Sequence, residues 1–310
     1  MRILDLHTKK ATAVLKKTAV ALGFFDGVHL GHRSLFLSAA NESERRNIAS
    51  AVLTFSEEGS TNMKHGARHI CTEEERLEQF SLLGMDYAVL LDFEAVKNMS
   101  PEDFVSEILL GICHADVAVC GYNFRFGKGA SGDTDTLAAL MKRGGGDCIV
   151  CPPYIHKGEP VSSTEIRKFI AEGDMENAHV LLGRPFSLSG EVYHGKSLGR
   201  IIGFPTANQK IPENIVDIRV GTYVSRVFLG GKYYYSVTNV GVRPTVETDG
   251  KTNCETYILD YEGDLYGKTI KVEFLSFIRD EMCFSSIDEL KKQINKDVEE
   301  VKKWQNVGQS

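Results

Sequence analysis

No apolar run in the 310-residue chain approaches the roughly 20 residues of a membrane-spanning helix. The opening MRILDLHTKK has none of the apolar core of a secretory leader. Both absences lead to the expectation of a cytoplasmic protein with no membrane partner. Basic residues are not in excess: 36 Lys and Arg against 42 Asp and Glu give a formal charge of −6. They are also scattered, so the electrostatic footprint of a nucleic-acid binder is missing. The cysteine framework of a secreted domain is missing too. Seven cysteines are an odd number, and Cys113, Cys120 and Cys148 sit in apolar, strand-like runs, as reduced, buried thiols do. Cys148 and Cys151 form a lone CxxC; without a second pair or neighbouring histidines it reads as packing, not as a metal site. Small-molecule partners are what these absences leave, with no obligate protein partner evident. The length suits two domains.

The chain is organised around Gly23–His32, GFFDGVHLGH. It follows the apolar run Ala19–Leu22 and leads into a helical pattern through Leu35, Phe36 and Ala39, so it lies where a strand hands over to a helix. Free backbone N–H groups and the positive end of the helix dipole point out of such a junction, and glycines admit a ligand close to the main chain. His29 and His32 share the first turn, where both imidazoles can donate to one anion. A glycine-rich turn alone is often only a tight turn; histidines at this spacing beside Asp26 point to phosphate chemistry, and specifically to nucleotidyl transfer.

Apolar runs then alternate with helical segments: Ile48–Phe55, Thr72–Leu83, Tyr87–Phe93, Ser100–Ile112, Val117–Gly121, Thr134–Met141 and Cys148–Pro152. The alternation predicts an α/β domain with a parallel sheet and helices on its faces. Thr72–Glu75 has capping-box spacing, and Ser100-Pro101 is an N-cap followed by proline at the first helical position. Ligands in such a fold bind beyond the carboxyl ends of the strands, so the loops after strands carry the information. Gly121–Asp133, GYNFRFGKGASGD, suits a loop over a flat ligand, with Asn123 offering donor and acceptor to a nucleotide or flavin edge. Val161–Asp174, VSSTEIRKFIAEGD, presents a second helix start, with Ser162 and Glu165 at capping-box spacing.

A helix-like stretch, Asp174–Leu182, stops at Gly183, and Arg184-Pro185 follows. This predicts a boundary between domains 1–183 and 184–310. Beyond it, short β-rich runs (Phe186–Tyr193, Gly221–Phe228, Tyr233–Val240, Glu255–Asp260, Thr269–Ile278) are separated by glycine turns and not by helices, which predicts an antiparallel β-barrel. A closing helix begins at Ser286–Glu289, its stripe of Ile287, Leu290, Ile294, Val298 and Val301 packing on the barrel. Within His194–Asn208, HGKSLGRIIGFPTAN, Gly195, Gly199 and Gly203 give a loop whose N–H groups can wrap phosphates, though the spacing is neither a Walker A nor a dinucleotide fingerprint. In Phe204–Asn208 a hydroxyl and an amide oxygen stand two residues apart, so in extended chain Thr206 and Asn208 can face one hard cation, Mg2+ with ATP phosphates being the natural occupant.

Several of these segments resemble one family. GFFDGVHLGH is similar to the HxGH signature of nucleotidyltransferases in the form found in prokaryotic bifunctional riboflavin kinase/FAD synthetases. Gly121–Asp133 is similar to their GxxFxFG…GD segment, SSTEIR to SSTxIR, and GRIIGFPTAN to the riboflavin kinase signature; Thr238–Val246 and Asp264–Glu281 match further segments. The resemblance implies a Rossmann-like nucleotidyltransferase domain followed by a riboflavin kinase barrel, with ATP, riboflavin and FMN as substrates and Mg2+ as cofactor. It implies that Gly23, Phe25, Asp26, Gly31, Asn123, Asp133, Ser163 and Thr164 bind FMN and ATP, while His29, His32 and Arg167 stabilise charge in adenylyl transfer. In the barrel it implies Gly195, Gly199 and Gly203 around ATP, Thr206 and Asn208 at the metal, and Glu255, in CETYILD, as general base, a role a lone strand glutamate would not otherwise suggest. Tyr257 stands where the family has histidine. Ser56–Gly59 replaces the family's PHP tripeptide, and the carboxylates of Glu57 and Glu58 either turn outward or share magnesium. Two rivals follow: a kinase whose adenylyl transfer is weakened or lost, and a flavin-binding regulatory module.

Overall fold

The structure, a computed structural model, describes residues 1–6, 16–57, 68–195, 198–242 and 252–307. Glu58 and Gly59 of the PHP-replacing segment, residues 243–246 of the Thr238–Val246 motif and residues 196–197 of the glycine loop lie outside the described residues. Contacts divide the chain into two units, Met1–Ala67 with Thr72–Ser163, and Arg68–Cys71 with Thr164–Ser310.

The main sheet of the first unit has six strands: β1 (Arg2–Asp5), β2 (Thr18–Leu22), β3 (Ala49–Phe55), β4 (Tyr87–Leu91), β5 (Ala115–Gly121) and β6 (Asp147–Cys151), in the order β1-β4-β3-β2-β5-β6. Every neighbouring pair is parallel. Side chains alternate between faces: Val20, Leu22, Ala51, Leu53, Ala118 and Cys120 pack in one core. Ala19, Ala21, Val52, Val117 and Val119 pack in a second, with Phe36 of α1 (Leu30–Arg46) and Phe80 of α2 (Glu73–Leu82). Strand order reverses between β2 and β5, so the crevice at their carboxyl ends is the place where a doubly wound sheet takes a ligand. The Gly23–His32 and Gly121–Asp133 segments begin there.

Several boundaries differ from the sequence reading for local reasons. The strand expected to reach Phe93 stops at Leu91, because Asp92 caps a helical turn over Phe93–Val96 by accepting from Glu94 N at 2.9 Å. The Ser100–Ile112 helix starts at Pro101 and widens over Phe104–Ile112 to π-helical bonding, ending with Cys113 N donating to Ile108 O at 2.8 Å. The Thr72 capping box forms as expected.

A short antiparallel hairpin, β7 (Ile155–His156) and β8 (Glu159–Pro160), follows β6 in the first unit. In the second unit, β9 (Phe186–Glu191), β10 (Thr206–Lys210), β11 (Gly221–Leu229), β12 (Lys232–Val242), β13 (Thr252–Ile258) and β14 (Thr269–Arg279) form an antiparallel sheet ordered β10-β13-β12-β11-β14-β9. Its two ends meet at an antiparallel bridge between Tyr193 and Asn208, which curls it into a barrel. Gly230 and Gly231 (φ 56° and 88°) make the tight β11–β12 turn, a conformation suited to the twist of paired strands. The barrel interior is partly polar: Ser225, Ser236, Thr238 and Thr256 are fully buried and linked hydroxyl to hydroxyl. The final helix, Ile287–Val307, buries Val298 and Val301 against Val224, Val237, Leu259 and Leu275. One expected stripe member departs: Ile287 is 52 % exposed at the helix start. The helix Met175–Leu182, capped by Asp174 and stopped by Gly183 (φ 68°), buries Met175, Ala178, Leu181 and Leu182 within this unit.

Candidate functional site

In the first unit, Gly23 N continues the ladder by donating to Leu53 O at 3.2 Å, and the chain then turns sharply. Phe25 (φ 59°), Gly27 (φ 75°) and Val28 (φ 43°) all adopt left-handed backbone, which for a β-branched valine is strained. The turn is held from outside. Phe24 O accepts from Thr54 Oγ1 and from Arg76 Nη1, each at 2.9 Å, and Arg76 Nη2 donates to Phe55 O at 2.7 Å. Arg76 is buried, lies over the Phe24 ring at 4.6 Å and pairs with Glu73 at 3.7 Å. Sequence reading missed it, since an arginine one residue past a capping box reads as solvated helix surface.

His29 caps α1: its Nδ1 accepts from His32 N at 3.3 Å, which places the proton of the neutral ring on Nε2. The two imidazoles stack at 3.5 Å, 20° from parallel, on the turn where the helix dipole favours an anion. Gly31 makes room for this, since a Cβ there would lie 3.1 Å from the His29 ring. Asp26 is buried and its carbonyl accepts from Ser163 Oγ at 3.1 Å. Phe25 is placed in the core: it is 2 % exposed and packs on Phe36 and Phe80, with its ring where a Gly23 Cβ would be.

In the Gly121–Asp133 loop, Asn123 is exposed, while Phe126 is buried and pairs with Gly132. The Asp133 carboxylate caps the helix Thr134–Arg143, accepting from Thr136 N at 2.9 Å and Thr136 Oγ1 at 2.8 Å; these bonds hold it below the usual carboxylate range. Of the two carboxylates at the PHP position, Glu57 is the described one. Its Oε2 accepts from Glu73 N at 3.2 Å and its own N–H donates to Glu73 Oε2 at 2.6 Å, so its charge is directed to the start of α2. Thr164 and Arg167 fall in the second unit, where Arg167 Nε donates to Arg68 O at 2.8 Å.

The barrel gathers the other candidates by register. Antiparallel partners share a face, and Tyr193 pairs with Asn208, Asn208 with Glu255, Glu255 with Asn239, and Asn239 with Thr222. Five polar side chains thus form one lateral row, with Thr206, two residues from Asn208, on the same face opposite Tyr257. Asn208 is buried, and its Nδ2 donates to Thr206 O at 3.1 Å and lies 3.4 Å from Thr206 Oγ1, so its oxygen joins the Thr206 hydroxyl on one cation only after a rotation that exchanges the two ends of the amide. A Cβ at Gly195 would lie 2.9 Å from the Asn208 amide, and one at Gly199 2.4 Å from Phe204 O; both glycines are needed for close approach. Gly203 has φ 90°. The expected open glycine loop contains a helical turn, Leu198–Ile202, tied off by Phe204 N donating to Gly199 O at 2.7 Å. Hydroxyl and amide oxygens are hard donors that fit Mg2+, whereas no group of three His, Cys, Asp or Glu able to hold a metal occurs among the described residues. Asn239 lies within the Thr238–Val246 match without a role of its own, and Asn253 escaped the sequence reading; the i, i+2 spacing of Asn253 and Glu255 on one strand was the available signal.

Comparison with known proteins accounts for both halves. The FAD synthetase family profile matches residues 11–165 and the riboflavin kinase profile residues 182–305. The bifunctional riboflavin kinase/FMN adenylyltransferases of Escherichia coli and Bacillus subtilis are 35% and 33% identical over 283 and 290 residues, covering 90% and 92% of this chain and 90% and 91% of theirs. The chain belongs to the bifunctional riboflavin kinase/FMN adenylyltransferase family. The Listeria monocytogenes member is 31% identical over 287 residues, 91% of each chain. A crystal structure described as a macrolide-efflux protein from Streptococcus pneumoniae is also similar, with TM-score 0.88 and 29% identity over 98% of this chain and 100% of that one. The bifunctional family pairs an FAD synthetase domain with a riboflavin kinase domain, and this enzyme carries both. Among the described residues no helix is long and apolar enough to cross a membrane.

Proposed function

We propose that the barrel phosphorylates riboflavin with ATP to FMN and that the parallel-sheet domain adenylylates FMN with a second ATP to FAD and pyrophosphate, with the functional boundary between residues 183 and 184. The observation that carries the kinase reading is the lateral row joining Asn208 to Glu255, with Thr206 beside it. Glu255 takes the proton of the ribityl terminal hydroxyl as that oxygen attacks the γ-phosphorus, and the bond to the ADP oxygen breaks. Thr206 and Asn208 hold Mg2+, which when bound neutralises charge on the ATP phosphates. Gly195, Gly199 and Gly203 let the backbone close on the nucleotide.

In the other domain the FMN phosphate attacks the α-phosphorus in line and pyrophosphate leaves, so positioning and electrostatics are the whole of catalysis. His29 and His32 donate to the phosphates from the start of α1, and the role assigned to Ser163, Thr164 and Arg167 is to stabilise pyrophosphate charge as it develops. Gly23, Phe25, Asp26 and Gly31 shape the turn; Asn123 meets a flavin or adenine edge, and Asp133 holds its loop. The partners are ATP, riboflavin and FMN in the cytoplasm, with no nucleic acid, membrane or obligate protein partner.

Chromatography of flavins after incubation with riboflavin, ATP and magnesium, beside a reaction started from FMN, tests both halves. FAD in both reactions is the expected result. FMN accumulating in the first with FAD in neither would leave a kinase alone. Glu255→Gln should abolish FMN formation and leave FMN adenylylation intact; a flavin-binding module without turnover would show neither activity before or after the change.

A further inference from the structure

We propose that Asn253, held by the Tyr193 hydroxyl, is a positioning residue that orients the Glu255 carboxylate for riboflavin phosphorylation; the inference rests on the reading of Glu255 as general base. Asn253 and Glu255 are alternate residues of β13 and face the same side. Asn253 is 5 % exposed, and a buried amide is stable only when hydrogen-bonded. Its Nδ2 donates to Glu255 Oε1 at 3.1 Å, and its Oδ1 accepts from the Tyr193 hydroxyl. The orientation of the amide is fixed by chemistry: a carboxylate only accepts, so the NH2 end must face Glu255 and the carbonyl end must face Tyr193.

Tyr193 is itself anchored at the nucleotide side of the site. Its backbone N–H donates to Asn208 O at 2.9 Å, closing the bridge that joins the ends of the sheet. One residue therefore touches the strand that carries Thr206 and Asn208 through its backbone, and the base through its side chain and Asn253. A strand glutamate with an exposed head would sample several staggered rotamers. A donor buried beside it narrows that choice, and holding the base within reach of the nucleophile is worth orders of magnitude in rate. Neither Asn253 nor Tyr193 needs to touch a substrate for this.

The test uses the full-length protein with riboflavin, ATP and magnesium, and measures kcat and KM for ATP in Asn253→Leu and Tyr193→Phe. Thermal unfolding and riboflavin binding of the same preparations report on folding of the barrel that carries both substitutions. We expect Asn253→Leu to lower the riboflavin kinase kcat about 10- to 100-fold, with KM for ATP within about twofold. Tyr193→Phe, which removes a single hydroxyl, should lower kcat about three- to tenfold in the same pattern. A kcat within about twofold of the parent in Tyr193→Phe, or a rise in KM that matches the fall in kcat, would overturn the assignment. Glu255→Gln separates the two layers. Loss of phosphorylation in Glu255→Gln with normal kcat in the other two sinks the relay alone, whereas an active Glu255→Gln sinks the reading of the base beneath it.

Discussion

Gly31 sits inside the first turn of α1, where alanine would ordinarily favour the helix by up to about 1 kcal/mol. Its would-be Cβ lies 3.1 Å from both Cε1 and Nδ1 of His29, so the ring must shift to admit a methyl. Gly31→Ala should therefore hold or raise the melting temperature while lowering adenylyl transfer from FMN about tenfold; unchanged turnover would mean that the stacked imidazoles are not the working geometry. Arg76 shows the opposite balance, being distant from solvent and bonded to two carbonyls across the turn. Arg76→Met keeps much of the apolar stem but removes both donors, and should lower stability in urea by about 3 kcal/mol. FMN adenylylation should then fall more than riboflavin phosphorylation, because the strained turn at Phe25 and Val28 belongs to the first unit.

At the scale of elements, termini are fixed by local chemistry. Thr72 caps α2 by accepting from Glu75 N at 3.2 Å while Glu75 reaches back to Thr72 N at 3.3 Å; Thr72→Ala should cost about 1 kcal/mol in an unfolding titration. Glu57 adds a further charge at that helix start, where the dipole favours it, and this gives the carboxylate a place other than the phosphate site. At the opposite end of α1, Arg46 binds Glu42 at 2.9 Å, Asp116 at 2.9 Å and Asp147 at 2.6 Å, joining the helix to β5 and β6. Lys17 and then Arg46, both hydrogen-bonded to Asp116, hold its carboxyl below the usual range. A folded-state value below the unfolded one means that the unfolded chain binds more protons as acid is added. The contribution is therefore present above about pH 4 and is lost as pH falls through the folded value. Arg46→Gln should flatten that acid decline in stability measured from pH 5 to 2, whereas an unchanged slope would show the pairs to be too screened to matter.

For the whole molecule, the parsing of the chain has consequences for dissection. The helix Met175–Leu182 buries four side chains within the barrel unit, and Arg68–Cys71 also belongs there through a bridge between His69 and Ile215. A fragment of residues 164–310 should accordingly be more stable than one of residues 184–310, by at least about 3 kcal/mol if the four contacts survive. Thermal unfolding of the two fragments checks this, and equal melting temperatures would show that the helix adds nothing to the barrel.

Much of this was readable from the chain. Continuous apolar runs alternating with capped helices describe strands buried on both faces, and β2 is buried at every residue; glycine turns without intervening helices describe an antiparallel sheet. The histidine pair, the Thr72 box and the Gly183 stop depend on neighbours within about one helical turn, so sequence alone determined them. The lateral row from Tyr193 to Thr222 could not be read in that way, because register between strands far apart in the chain is settled by packing and a slip of one residue reverses every side chain. The same holds for Arg76, whose partners at Phe24 and Phe55 come from two other strand ends, and for Asn253, whose hydroxyl partner is 60 residues away. Local spacing chose the residue types of both sites; only the folded chain decided which of them touch, since hydrogen bonds between distant segments exist only once the core has fixed the backbone that presents them.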